Sequence, residues 1–195
     1  MNAFTQPITL SGRYATLEPL SKDHYDGLIE ATRDGELWKL WYTSVPSPEG
    51  MGAEIDRRLA LQQAGLMLPW AVRNHATGKI AGMTTYMNID PQYRHIEIGS
   101  TWYAKSVQRT PFNTECKLML LTYAFESLAC IAVEFRTAFF NHASRRAIER
   151  LGAKQDGILR SHQLYADGSV RDTVVFSIVA AEWPAVKQHL TFKLG

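Results

Sequence analysis

The sequence predicts an α/β (α+β) domain, a mixed and mostly antiparallel sheet of about seven strands flanked by helices on both faces. Three observations predict it. Segments that alternate apolar and polar residues recur along the chain, as at Tyr14–Leu20 and Arg94–Tyr103. Segments with helical period and capping residues lie between them. Tight turns rich in Gly, Asn and Asp join neighbouring strands, which is the mark of antiparallel hairpins.

Taken in order, Tyr14–Leu20 reads as a strand closed by Pro19. Ser21 caps a helix predicted over Lys22–Arg33, with Asp23 in its first turn complementing the dipole. Leu37–Val45 is dense in aromatics and bounded by Pro46 and Pro48. Ser47-Pro48-Glu49 then reads as a helix start, predicting a helix from Pro48 to Ala64 that ends at Gly65. Pro69–Arg73 and Ile80–Asn88 form a hairpin across Asn74–Lys79. In Arg94–Tyr103 the alternation places Ile96, Ile98, Ser100 and Trp102 on one face and His95, Glu97, Thr101 and Tyr103 on the other. The loop Ala104–Phe112 leads to a helix over Asn113–Leu128, whose Leu118, Leu121, Phe125 and Leu128 form one stripe. Val133–Phe139 is a strand, and Ser144–Leu151 a short helix closed by Gly152. Gly157–Tyr165 and Val170–Ala180 flank the turn Ala166-Asp167-Gly168-Ser169, and Glu182–His189 reads as a terminal helix.

The 195 residues fit a single domain spanning 1–195, without repeats or low-complexity linkers. The charge is nearly balanced, with 21 Lys+Arg against 19 Asp+Glu, and no basic tract serves a nucleic-acid partner. No apolar run approaches the ~20 residues of a membrane helix, and the N-terminus lacks the profile of a signal peptide. A cytoplasmic location is therefore expected. Cys116 and Cys130 are the only cysteines and read as core thiols, and no ligand spacing points to a metal.

Three stretches carry a resemblance to a known family. The first is Glu97-Ile98-Gly99, Trp102-Tyr103 and Gln108-Arg109-Thr110-Pro111-Phe112-Asn113-Thr114-Glu115. The second is Asn141-His142-Ala143-Ser144 followed by Ala147-Ile148-Glu149-Arg150-Leu151-Gly152-Ala153, and the third is Leu17-Glu18-Pro19-Leu20. In these the chain resembles the GCN5-related N-acetyltransferases (GNAT), and most of all their RimJ/RimL-type branch. The resemblance implies the GNAT fold, acetyl-CoA as co-substrate, and transfer of an acetyl group to a primary amine. That amine would belong to a protein or peptide N-terminus or to a small molecule.

The resemblance also implies roles for residues. The loop before the Asn113 helix would hold the coenzyme A pyrophosphate, using Gln108, Arg109, Thr110, Phe112, Asn113 and Thr114. Helix N-termini suit this because their free N–H groups and dipole attract anions. The family has small residues where this chain has Pro111 and Asn113. Proline offers no N–H to a phosphate, although it suits the first helical turn. The strand backbone at Ser100, Thr101 and Trp102 would meet the pantetheine and the thioester, and Asn141 would hydrogen-bond the pantetheine arm. Lys117, Arg145 and Arg146 are candidates to screen the adenosine phosphates.

Acetyl transfer requires an amine freed of its proton, donors for the developing oxyanion, and stabilisation of the departing thiolate. Many relatives place a tyrosine acid four residues before the glycine that is Gly152 here, where this chain has Ile148. In the RimJ/RimL-type pattern a serine stands at Ser144, which the resemblance makes the partner of the thiolate and which also reads as the cap of its helix. Glu97 is the leading base, working through water. The same residue also suits a structural ion pair with Arg94 or Arg136, and His95 and His142 are weaker bases. Trp38, Trp41, Tyr42 and Tyr103 are expected on the acceptor side, where aromatic faces attract an ammonium. A non-catalytic CoA-binding regulatory module on the same fold is the alternative reading, and an unrelated ligand-binding domain is a third. A homodimer through exposed strand edges is compatible with the sequence, which specifies no interface.

Overall fold

The computed structural model describes residues 3–195. Eight strands form one sheet: β1 (Leu10–Ser11), β2 (Ala15–Pro19), β3 (Leu68–Asn74), β4 (Ile80–Asp90), β5 (His95–Tyr103), β6 (Ala132–Ala138), β7 (Lys154–Leu164) and β8 (Val170–Val179). Their order is β1-β2-β3-β4-β5-β6-β8-β7, and every pairing is antiparallel except β5 with β6. The α-helices are α1 (Tyr25–Arg33), α2 (Met51–Gln63), α3 (Pro111–Thr122), α4 (His142–Glu149) and α5 (Trp183–Leu194).

Two apolar clusters cover the two faces of the sheet. On one face Leu28 and Ala31 of α1 and Met51 and Ile55 of α2 pack on Ala71, Met83 and Trp102. On the other, Cys116, Leu120 and Leu121 of α3 and Val186 and Leu190 of α5 pack on Trp70, Tyr86, Ile96 and Ile98. Each large side chain fully buried this way contributes about 1.5–3 kcal/mol through its removal from water. Tyr86 fits because its hydroxyl donates to the Leu120 carbonyl, which spares a buried polar atom. Cys116 and Cys130 are both buried, and burial pushes each thiol up to about 12.

A carboxylate fastens α3 to the opposite end of the sheet. Glu115 accepts the backbone N–H groups of Arg13, Tyr14 and Ala15 at 2.6, 2.7 and 2.9 Å. This satisfies the turn between β1 and β2, the one strand pair that the alternation pattern does not predict.

Several boundaries differ from expectation for physical reasons. The first turn after Ser21 is a 3-10 turn over Lys22–His24, and the α-helix begins at Tyr25. Ser47 Oγ accepts the Gly50 N–H at 3.2 Å, making Pro48–Gly50 a turn, so α2 starts at Met51 rather than Pro48. Pro111 is the first residue of α3, and Thr110 Oγ1 caps it by accepting the Phe112 N–H at 3.2 Å. That helix gives way to a π-helical turn over Tyr123–Ser127. The expected stripe is displaced as a result: Leu118 and Phe125 are only partly buried, while Leu120, Leu121 and Ala124 reach the core. The last helix runs on to Leu194, beyond the expected His189.

Candidate active site

The sheet opens at one place. Parallel pairing of β5 with β6 joins His95 to Ala132, Ile96 to Val133 and Glu97 to Glu134, and stops there. From Gly99 onward β5 is paired only with β4, so its backbone edge faces a widening gap. Unpaired edge groups at a gap between parallel strands are ready to bind an extended ligand.

A bulge shapes this edge. Ser100 has φ +47°, and the β4 register shifts between Met83 and Thr85 opposite it. The extra residue inverts the alternation beyond it. Tyr103 therefore joins Ile96 and Ile98 on the α3 face, and Trp102 joins the cluster of α1 and α2. This corrects the expected faces. Tyr103 is buried with its ring edge-on to Phe112 at 5.5 Å, on the face opposite Glu97.

Two buried cations hold the bulge from opposite sides. Arg58 of α2 donates to the Ser100 carbonyl at 3.2 Å and Thr85 Oγ1 at 2.6 Å, with Glu54 Oε1 at 2.7 Å as its counterion. Lys117 of α3 donates to Thr101 Oγ1 at 2.9 Å and Thr84 Oγ1 at 3.4 Å. Lys117 thus lies beneath the sheet rather than among the surface cations expected near the adenosine phosphates.

Glu97 is the last residue of the parallel pairing and is 5% exposed. Its Oε2 accepts Asn88 Nδ2–H at 2.6 Å, and a Cβ on Gly99 would meet its Oε1 at 2.8 Å. Arg136, one of the two suggested ion-pair partners, lies 3.6 Å from Oε2. The Arg136 guanidinium forms that ion pair and also hydrogen-bonds Glu134 Oε2, at 3.0 and 2.8 Å. Burial raises the Glu97 pKa above its usual 4.5, against the opposing pull of Asn88 and Arg136. A carboxylate in this setting holds a proton more readily than one in water, which suits a base.

Past β6, Asn141 caps α4, its Oδ1 accepting the Ser144 N–H at 3.0 Å. Asn141 is the cap and Ser144 is the third helical residue, a correction to the expected capping role of Ser144. Ile148 is buried in the core, so the tyrosine position of the family has an apolar substitute that faces inward. Arg145 lies over the Phe139 ring at 5.0 Å and donates to the Phe139 carbonyl, whereas Arg146 is exposed.

At the start of α3 the expected cofactor residues divide by direction. Arg109, with φ +62°, is exposed, and Asn113 is half-buried. Phe112 and Thr114 are buried, and the Phe112 N–H is already taken by Thr110 Oγ1. Gln108 Nε2 donates to the Tyr103 carbonyl at 2.9 Å, and Thr110 Oγ1 donates to the Val107 carbonyl at 2.7 Å. Gln108 thus braces the loop on β5, and Thr110 ties the loop to itself.

An aromatic wall stands beyond β6. Trp41, in the loop between α1 and α2, meets Tyr42 at 5.6 Å, Phe140 at 5.7 Å and Tyr165 at 5.1 Å between ring centroids. Trp38 stands apart, with Lys39 Nζ over its ring at 5.9 Å. Phe139 and Phe140 also line a cleft of about 630 Å³ with Ile158, Val170 and the ion pair of Arg160 with Asp172. Phe140 and Tyr165 escaped the sequence reading, as did Arg58 and Asn88. Phe140 directly precedes Asn141, which was the available signal.

The acetyltransferase (GNAT) domain family matches residues 15–154. The chain belongs to the GNAT acetyltransferase family. A GCN5-related N-acetyltransferase from Brucella melitensis is 33% identical with a TM-score of 0.87, over 97% of this chain and 86% of that one. The Bacillus subtilis protein YdaF, named as a ribosomal N-acetyltransferase, is 36% identical over 110 residues. That match spans 56% of this chain and 59% of the length of YdaF. The fold is also that of Mycobacterium smegmatis RimJ, solved with CoA-disulfide, with a TM-score of 0.82 at 20% identity over 97% of this chain and 96% of that one. The RimJ/RimL-type branch of the GNAT family is where this chain finds its likeness. Among the described residues no helix is long and apolar enough to cross a membrane.

Proposed function

We propose that this chain transfers the acetyl group of acetyl-CoA to a primary amine, and that the amine is a peptide or protein N-terminus. The single observation that carries the reading is the end of β5–β6 pairing at Glu97, which leaves a free β5 edge with a buried carboxylate at its root. The pantetheine arm lies along that edge at Ser100–Trp102, with the Asn141 amide as a further donor. The pyrophosphate is held at the start of α3 by backbone N–H groups and by Arg109 and Asn113, while Pro111 supplies no donor.

The chemistry follows from the residues. The acceptor arrives as an ammonium, and Glu97 takes its proton, through water. The freed nitrogen attacks the thioester carbonyl carbon, and as the C–S bond breaks it gives up its second proton, which passes to the departing thiolate to give the free thiol. Backbone groups of the bulge stabilise charge on the carbonyl oxygen, and the Ser144 hydroxyl hydrogen-bonds the departing thiolate sulfur. Orientation at the gap supplies a large share of the acceleration, so no single side chain is indispensable.

The open cleft lined by Phe139 and Phe140, with Trp41 against the Phe140 ring at 5.7 Å, favours an extended peptide over a small enclosed amine. The name of the YdaF relative points the same way. The test is thiol release from acetyl-CoA with matched panels of N-terminal peptides and small amines. Release with peptides alone supports the reading, release with small amines alone overturns the choice of acceptor, and binding of CoA without release with either supports the regulatory module instead.

A further inference from the structure

Helix α3 carries a lysine where its neighbours are core residues. Lys117 is 6% exposed and follows Cys116 on the sheet-facing side of the helix. Its ammonium donates to Thr101 Oγ1 at 2.9 Å and to Thr84 Oγ1 at 3.4 Å, and the two hydroxyl oxygens lie 2.8 Å apart. Among the described residues no carboxylate pairs with it. A charge removed from water with only neutral partners costs the fold stability. Leucine or methionine would fill the same space without that cost.

The place where the ammonium makes contact is specific. Thr101 sits in the β5 bulge, past the last residue paired with β6, on the edge that borders the gap. Arg58 grips the Ser100 carbonyl from the other face, so the bulge is held on both sides. The extra residue stays in β5 whatever holds it, but with one grip removed the bulge is free to shift, and its edge groups then lose their fixed position at the gap.

We propose that Lys117 is a positioning residue for acyl transfer: by anchoring Thr101 from the α3 side, it fixes the β5 edge against which the thioester lies. The proposal rests on the acetyl-CoA reading of the gap given above. Only the protonated form is a pure donor that compels Thr101 Oγ1 to accept. Loss of the proton gives the nitrogen a lone pair, and the hydroxyl is then free to turn. The groups around it are Thr84 from β4, Thr101 and Tyr103 from β5, and Cys116 and Glu115 on its own helix, with Arg58 across the sheet. Burial raises the Tyr103 hydroxyl and holds the Cys116 thiol up at about 12, and Glu115 is engaged by three backbone N–H groups. Lys117 itself is lowered by burial to about 8, so it is the member of this group that changes charge there.

The experiment compares wild type with Lys117→Met as full-length chains. Expected is a thermal midpoint at pH 7 above that of wild type, with kcat about 10- to 100-fold lower and the KM for acetyl-CoA within about threefold. Wild-type kcat falls on the alkaline side with a midpoint near pH 8, and this limb is missing in Lys117→Met. A kcat within twofold of wild type overturns the proposal, and so does a joint fall of kcat and thermal midpoint, the sign of a packing role. Should wild type release no thiol with any amine, the failure belongs to the proposed function, and the bulge itself gives the readout. The amide resonances of Gly99–Trp102 then shift with the Lys117 Nζ titration in wild type, and fixed resonances across that titration overturn the anchoring.

Discussion

Trp41 and Tyr165 meet with ring centroids 5.1 Å apart, joining the loop after α1 to the turn of the β7–β8 hairpin. Trp41 is 57% exposed, so its rings are gathered around a surface rather than locked in the core. Aromatic pairs of this kind contribute about 0.5–1.5 kcal/mol each beyond area burial. Trp41→Ala should raise the acceptor KM about tenfold, leaving the acetyl-CoA KM within twofold and lowering the thermal midpoint by only a few degrees. Steady-state kinetics with each substrate varied in turn checks this, and equal damage to both KM values would mark Trp41 as plain packing.

Glu97→Gln keeps a carbonyl oxygen to accept the Asn88 N–H, so the site survives the change. Loss of a positioned base costs typically 10²–10⁴-fold in kcat, and positioning by the gap places the expectation near the lower end. Because burial raises the Glu97 pKa above 4.5, wild-type kcat falls as pH drops through that raised value, and the glutamine variant lacks this acid limb. The effect on stability has the opposite sense. The unfolded chain releases this proton first, so the contribution of Glu97 to stability is complete below pH 4.5 and is lost as pH rises through the folded value. Kinetic and denaturation profiles measured between pH 4 and pH 8 test both signs.

Much of the fold was legible because hairpins announce themselves twice, by alternation and by turn residues such as Ala166–Ser169. The face assignment of β5 failed at a single residue. A serine at φ +47° leaves no mark in the alternation pattern, yet it inverts everything beyond it. Strand β1 is two residues long, too short for any period, and is secured by Glu115 from a helix a hundred positions away. The loop candidates were found as a sequence, but their directions were not. Gln108 turns back to the Tyr103 carbonyl, and Phe112 and Thr114 enter the core. Phe140 and Tyr165, which meet Trp41, come from far along the chain, and nothing local in the sequence links them to it.

Glu115 bears on stability rather than chemistry. Its three accepted N–H bonds are buried or part-buried, and unsatisfied buried donors cost about 1–3 kcal/mol each. Glu115→Ala should therefore lower stability by about 3 kcal/mol or more in urea denaturation. Faster hydrogen exchange should be concentrated at Arg13, Tyr14 and Ala15.

Gly82 of β4 lies against the β5 backbone at Trp102 and Tyr103. A Cβ there would lie 2.1 Å from the Trp102 carbonyl oxygen, and its φ of +151° disfavours any side chain. Backbone cannot yield as a side chain does, so Gly82→Ala should cost about 3 kcal/mol or more in stability. Thermal denaturation of the variant measures it.

The buried ammonium of Lys117 makes a separate statement about pH and stability. A lysine lowered to about 8 from 10.5 contributes stability above pH 10.5, and loses it as pH falls to about 8. The stability advantage of Lys117→Met at pH 7 should accordingly shrink by on the order of 2–3 kcal/mol between pH 8 and 10.5. Taking the difference between the two proteins cancels the opposing trend from Cys116 and Cys130, which stay protonated in the fold up to about 12.

The most direct measurement of the central claim is mass spectrometry of a peptide acceptor incubated with acetyl-CoA and the protein, alongside thiol release in the same tube. The gap at β5, the carboxylate at its root and the aromatic wall beside it predict a peptide heavier by one acetyl group at its N-terminal amine. One thiol should be released for each acetyl transferred, and both should be much slower with Glu97→Gln. Acetyl-CoA bound at the gap, with no acetylated amine and no thiol above the background rate, would contradict the account.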